Sequence, residues 1–204
     1  DGVGTSTKAV YCIIGVSLEG RKDVLSLSIG ESESASYWMS LLDELKARGV
    51  QDICIACVDG LSGFKQAIQA VFPHVLVQRC LVHLIRQSTK FVSYQDRKSF
   101  CYDLKQIYQA INRSAAEQAF ETFKNKWRPI VPLAVRVWEN NIEEVYQLFQ
   151  FPKEIRKMIY TTNAIESYNS QLRKVLKGKG AFPNETSVMK LIYLQTMEVT
   201  KKWR

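Results

Sequence analysis

No stretch of the 204-residue chain approaches the roughly 20 consecutive apolar residues that a membrane-spanning helix needs. Nothing at the start reads as a secretory signal either, since Asp1-Gly2-Val3-Gly4 leads almost at once into a strand-like run. An initiator Met is also missing, so the sequence reads as a piece of something longer. With 5 prolines and 10 glycines, the composition is neither collagen-like nor that of a disordered chain. Only two histidines occur, His74 and His83, and there is no Gly-x-Ser-x-Gly string, which leaves serine or cysteine hydrolase chemistry with little support. A P-loop and a dinucleotide fingerprint are likewise missing. The five cysteines (12, 54, 57, 80 and 101) are an odd number in a chain too large to need disulfide staples, and read as reduced thiols of a cytosolic protein.

What is present is a globular composition, 46% apolar and 24% charged, in a chain long enough to bury a sizeable core. The net charge of +8 is unevenly spread. Residues 1–151 carry 17 Lys/Arg against 16 Asp/Glu, whereas residues 152–204 carry 11 against 4. An excess so concentrated points to a polyanion contact in the last quarter, most simply the phosphates of nucleic acid; the alternative is a solvated basic helix face.

The hydrophobic pattern organises the chain. Lys8 to Leu18 and Asp23 to Ile29 read as a β-hairpin about a Glu19-Gly20-Arg21-Lys22 turn. Ser32 or Ser34 caps a helix with Trp38, Leu41, Leu42 and Leu45 on one face, which Arg48-Gly49 ends. Asp52 to Val58 reads as a strand buried on both faces, Leu61 to Val71 as a helix, and His74 to Arg79 as another short strand. From Leu81 to Glu144 the pattern is helical, with a core stripe through Leu84, Phe91, Phe100, Leu104, Ile107, Tyr108, Ala119, Phe120 and Phe123 and a break around Pro129 and Pro132. Two basic helices follow, from about Thr162 to Lys177 and from Glu185 to the end. The order predicts an α/β fold interrupted by an all-α insertion, divided as residues 1–85, 86–158 and 159–204.

Two carboxylates stand out. Asp59 follows a strand and precedes Gly60 and a helix; strand ends are where open α/β sheets present ligands, although Asp-Gly also serves simply as a turn. Glu166 stands three residues after Asn163, which a capping box would explain. It also shares a helix face with Asn169, Ser170, Arg173 and Lys177, opposite a stripe of Ile165, Tyr168, Leu172 and Val175. Cys54-x2-Cys57 and Cys80-x2-His83 have the spacing of a four-ligand zinc site. Residues three apart on a strand point to opposite faces, so Cys54 and Cys57 do not easily close on one ion. Cys80 and His83, at a helix start, are better read as packing or hydrogen bonding beside the strand end.

Taken together, Val58-Asp-Gly-Leu-Ser-Gly-Phe64, Phe72-Pro73, Gln78-Arg-Cys-Leu-Val-His83 and Ile159-Tyr-Thr-Thr-Asn-Ala-Ile-Glu-Ser167 resemble the catalytic domain of Mutator-type transposases of bacterial insertion sequences. Lys201-Lys202-Trp203 resembles the end of that domain. The resemblance implies a ribonuclease-H-like fold with a mixed sheet, split by the helical insertion, and an Asp-Asp-Glu triad binding two Mg²⁺ ions, with Mn²⁺ as a substitute. It makes Asp59 the second acid and Glu166 the third, both catalytic and metal-binding. Cys80 and His83 match the family's Cys-x2-His pair and, with Asn163 and Asn169, support the site. Arg173, Lys174, Lys177 and Lys179 are then the cations for DNA phosphates. The implied partners are DNA, both element ends and target, and further copies of the chain, with no membrane. The first acid and its strand are expected upstream of Asp1, which is not itself assigned the role. The alternative is a truncated or domesticated derivative that binds nucleic acid without cutting it, and a small zinc-binding interaction domain is a third reading.

Overall fold

Val24, Leu25, Leu27 and Ile29 nearly alternate along their strand, and they form the second arm of an antiparallel hairpin. Strand β1 (Ala9–Val16) pairs with β2 (Lys22–Gly30) from Ala9↔Gly30 to Val16↔Lys22, with one irregularity between Ile13 and Ile14. Gly20, at φ +80°, supplies the left-handed residue of the connecting turn. The computed structural model describes residues 7–30, 34–60, 63–160, 163–179 and 181–203, with the backbone alone at Asn163 and Ala164.

The chain forms two compact units. One comprises Asp1–Asp52, Ser62–Pro73 and Thr162–Arg204. Within it, α1 (Ala35–Ala47) starts at Ser34, whose Oγ accepts the N–H of Tyr37, and buries Trp38, Leu41, Leu42 and Leu45 as the spacing predicts. Helix α2 (Phe64–Val71) packs against α1, with the Phe64 and Trp38 rings edge to face at 4.9 Å. At the far end of the sequence, α9 (Asn163–Lys177) and α10 (Glu185–Thr200) share a small core of Tyr168, Leu172, Ile192 and Val199, against which the hairpin residues Val10, Cys12 and Leu27 pack.

The other unit comprises Ile53–Leu61 and His74–Thr161. Strands β3 (Ile55–Val58) and β4 (Leu76–Arg79) pair in parallel, which requires a crossover connection between them. The helices are α3 (Leu81–Thr89), α4 (Arg97–Tyr108), α5 (Arg113–Trp127), α6 (Pro132–Glu139), α7 (Ile142–Tyr146) and α8 (Lys153–Tyr160), with a 3-10 turn at Gln147–Gln150. Their core closes around Phe100, Leu104, Ile107, Trp138 and Leu148, all fully buried. The two buried indoles have polar partners: Trp138 Nε1 donates to Ser88 Oγ at 3.0 Å, and Trp127 Nε1 to Asp103 Oδ2 at 2.8 Å. Pro132 opens α6, where its missing N–H costs nothing.

The fold is thus mixed α/β and dominated by helix. Three expectations change in detail. Among the described residues the four strands form two separate pairs rather than one mixed sheet. Strand β3 is shorter than 52–58 and only half-buried, because β4 is its one hydrogen-bonded neighbour among the described residues. Phe91, placed in the core stripe by its spacing, is 47% exposed because α3 has already ended at Thr89.

Candidate functional site

Parallel pairing places the carboxyl ends of β3 and β4 side by side, and the residues just beyond them carry the chemistry. The ladder runs one step past Val58↔Arg79, with Cys80 N–H donating to the Val58 carbonyl at 2.8 Å. Asp59 therefore emerges next to Cys80. Cys80 is the N-cap of α3, in extended conformation with no side-chain cap bond, and His83 lies one turn further on. His83 Nδ1 stands 2.6 Å from Asp59 Oδ1. The Cys80 sulfur completes a trio in which one ligand atom of each residue lies within 4.8 Å of the others. Asp59 and His83 keep 45% and 41% of their side chains exposed, while Cys80 is buried.

Burial pushes the Cys80 thiol above its ordinary range; backbone N–H groups of His83 and Val82 oppose the shift, and the charge of Asp59 adds to it. A thiol held protonated in this way is a poor nucleophile, in keeping with the absence of hydrolase motifs. Cys54 and Cys57 do not join the trio: Cys54 is exposed, and Cys57, an exposed residue whose thiol is nonetheless pushed up to about 12 by its desolvation and by neighbouring Cys80, is not one of the three ligands. The third partner of Cys80 and His83 is Asp59 instead. The four-cysteine/histidine zinc arrangement is not formed, as strand geometry argues.

Gly60 makes the close packing around Asp59 feasible. Its φ is +77°, and a Cβ there would lie 2.7 Å from the Arg79 guanidinium, which covers it. Arg79 is in turn held by Glu144 of α7 at 3.1 Å, and Gln78 Nε2 donates to the Glu144 carbonyl at 2.9 Å. Sequence reasoning missed Arg79 and Glu144: they are 65 residues apart and follow no pattern, and only the position of α7 against β4 brings them together.

Glu166 belongs to the other unit, half-buried in the first turn of α9. Asn163 is the first residue of that helix rather than the residue before it, and its side chain lies outside the described residues, as do Thr161 and Thr162 of the motif, Leu61, Ser62 and Asp1. Asn169 is half-buried. Of the predicted apolar stripe, Tyr168 and Leu172 are buried, and Tyr168 Oη lies 2.7 Å from Thr196 Oγ1 of α10; Ile165 and Val175 are half-buried. Arg173, Lys174, Lys177 and Lys179 are all exposed, and none of the four makes an ion pair among the described residues. No helix among the described residues is long and apolar enough to cross a membrane.

Residues 2–204 match the family described as Transposase, Mutator family. The chain is 46% identical over 198 residues to a probable transposase for an ISRM3-like insertion sequence element of Sinorhizobium fredii, and 45% identical over 198 residues to the transposase for insertion sequence element ISRM3 of Rhizobium meliloti. In both cases the match covers 97% of this chain and 50% of the relative. A probable insertion-sequence transposase of Corynebacterium diphtheriae is 39% identical over 203 residues, covering 99% of this chain and 59% of that protein. The chain thus spans about half the length of the curated relatives it matches.

Proposed function

Because the chain belongs to the Mutator family of transposases, we propose that it supplies the catalytic domain of an insertion-sequence transposase, which cuts DNA at element ends and joins it to a target. On this reading Asp59 and Glu166 are carboxylates that hold Mg²⁺, within a ribonuclease-H-like domain made of an α/β part (residues 1–85) and C-terminal helices (159–204) around a helical insertion (86–158). The observation that carries it is the carboxylate of Asp59, accessible at the carboxyl end of a parallel strand.

The oxygens of Asp59 and Glu166 suit a hard cation, and the strand end leaves Asp59 open to one. Asp59 and Glu166 would hold Mg²⁺, which would supply charge stabilisation for the oxygens of an in-line displacement at phosphorus. The chain's own residues do the rest. His83 lies against the Asp59 carboxylate, its Nδ1 2.6 Å from Oδ1, and Arg79 packed on Gly60 limits movement of the turn. The cations Arg173, Lys174, Lys177 and Lys179 bind backbone phosphates and set the register of the DNA without reading its bases.

A chimera tests this reading: the present chain replaces the 198 matched residues of the Rhizobium meliloti transposase, and transposition of a marked element is counted. Transposition by the chimera, lost in Asp59→Asn while DNA binding is retained, is the expected result. Full transposition by the Asp59→Asn chimera would remove Asp59 from the chemistry.

A further inference from the structure

The Asp59 carboxylate suits a hard cation, but the thiol and imidazole that stand beside it suit a softer one. Magnesium binds through oxygen and is poorly served by a thiol, whereas sulfur, imidazole and carboxylate together are the donor set of Zn²⁺ and Co²⁺. Asp59, Cys80 and His83 bring one of each donor within 4.8 Å. Tetrahedral bonds of about 2.0–2.3 Å put ligand atoms about 3.3–3.7 Å apart. An ion entering the trio would therefore open the 2.6 Å Asp59–His83 contact by about 1 Å and draw the thiol in by a similar amount. Side-chain rotation alone covers such distances. Cys80 and His83 start from a helix N-terminus and Asp59 from the neighbouring strand end, so the three Cα positions are set by the pairing of β3 and β4. With Asp59 and His83 partly exposed, a fourth position stays open to water, the arrangement of a three-ligand zinc site.

We propose that Asp59, Cys80 and His83 form a site for a thiophilic divalent cation, Zn²⁺ or Co²⁺. Such an ion occupies Asp59 and so competes with Mg²⁺ there; this second part rests on the reading of Asp59 as a Mg²⁺ ligand. Zinc is then an inhibitor that holds the domain inactive, rather than a structural staple.

Titrating the whole chain with Co²⁺ tests the site by absorption. One equivalent binds with a thiolate-to-cobalt charge-transfer band and the visible bands of tetrahedral cobalt. Cys80→Ser abolishes the charge-transfer band, and His83→Ala weakens binding at least about tenfold, the least that removing a supporting group costs at a metal site. The Cys54→Ser/Cys57→Ser double variant keeps the wild-type spectrum. X-ray absorption on the wild-type zinc complex, which needs no variant, shows one sulfur at about 2.3 Å. A band that survives Cys80→Ser but is lost in the double variant, or a zinc shell without sulfur, overturns the site. Millimolar Mg²⁺ raises the cobalt midpoint if Asp59 serves both ions. Cobalt bound through Cys80 with no Mg²⁺ competition keeps the site, refutes the inhibitory role and counts against Asp59 as a Mg²⁺ ligand. Failure of cobalt to bind, with the Asp59→Asn chimera still inactive, overturns this proposal and leaves the transposase reading intact.

Discussion

Asp59 and Gly60 work as a pair: the carboxylate is presented at a strand end because the next residue turns away in a conformation that side chains disfavour. Gly60→Ala forces a Cβ into the Arg79 guanidinium at a φ of +77°. The left-handed backbone alone costs about 1–2 kcal/mol, and urea denaturation of the variant is expected to show at least that loss. A variant as stable as the parent would mean that the turn relaxes freely. Glu166 has two explanations that chemistry separates. With Asn163 inside the helix, the structural alternative is a hydrogen-bonding role in its first turn, which accepts Gln as well as Glu, whereas a metal ligand needs the charge. In the chimera, Glu166→Gln is therefore expected to keep the thermal midpoint and lose transposition. Activity retained by Gln, with Ala melting the protein, would assign Glu166 to holding the first turn of α9.

At the scale of elements, α9 divides its labour by face. Tyr168 and Leu172 anchor it against α10 and the hairpin, so its cations sit on a supported rod rather than a loose tail. Neutralising Arg173, Lys174 and Lys177 together is expected to weaken binding to any duplex about equally. The slope of log affinity against log salt should flatten by about 0.9 for each phosphate that is no longer neutralised. Fluorescence anisotropy across a salt series measures it, and an unchanged slope would leave these residues as an ordinary solvated face. Helix α3 plays the corresponding part in the other unit, since its first turn carries both Cys80 and His83 to the end of β3.

For the whole molecule, the thiol and phenol packed between hairpin and C-terminal helices make stability depend on alkali. Burial pushes Cys12 up to about 12 and raises Tyr168 as well. Unfolding frees both groups to ionise at their ordinary values, so above about pH 8.5 the unfolded chain binds fewer protons than the folded one. Stability is therefore full below that pH and falls as pH rises towards 12. Urea midpoints at pH 7, 9 and 10 are expected to decrease in that order, with a shallower decrease in Cys12→Ala. A flat profile would mean that these groups are as solvated in the fold as outside it.

Periodicity alone determined most of the elements: the capped α1, the span of α9, the start of α10 and the helical run after Leu81 follow from spacing, because helix formation and capping are decided within a few residues. The 3-10 turn that ends α10 at Thr200 was not read from it. The motif strings determined the family in the same way, residue by residue. Charge counting also located the cations of α9, since exposed lysines need no partner to be where they are. What tertiary structure alone decided is the neighbourhood of Asp59. The sequence placed Cys80 and His83 together at a helix start beside a strand end, but that their partner is Asp59, and that Arg79 covers Gly60 and is tethered to Glu144, depend on which strands pair and where α7 lands. Those are long-range contacts, set by packing, and no local pattern in the sequence encodes them. The half-burial of β3 and the exposure of Phe91 have the same origin: a residue's spacing states which way it points, and only the neighbours present in the fold decide whether anything is there to cover it.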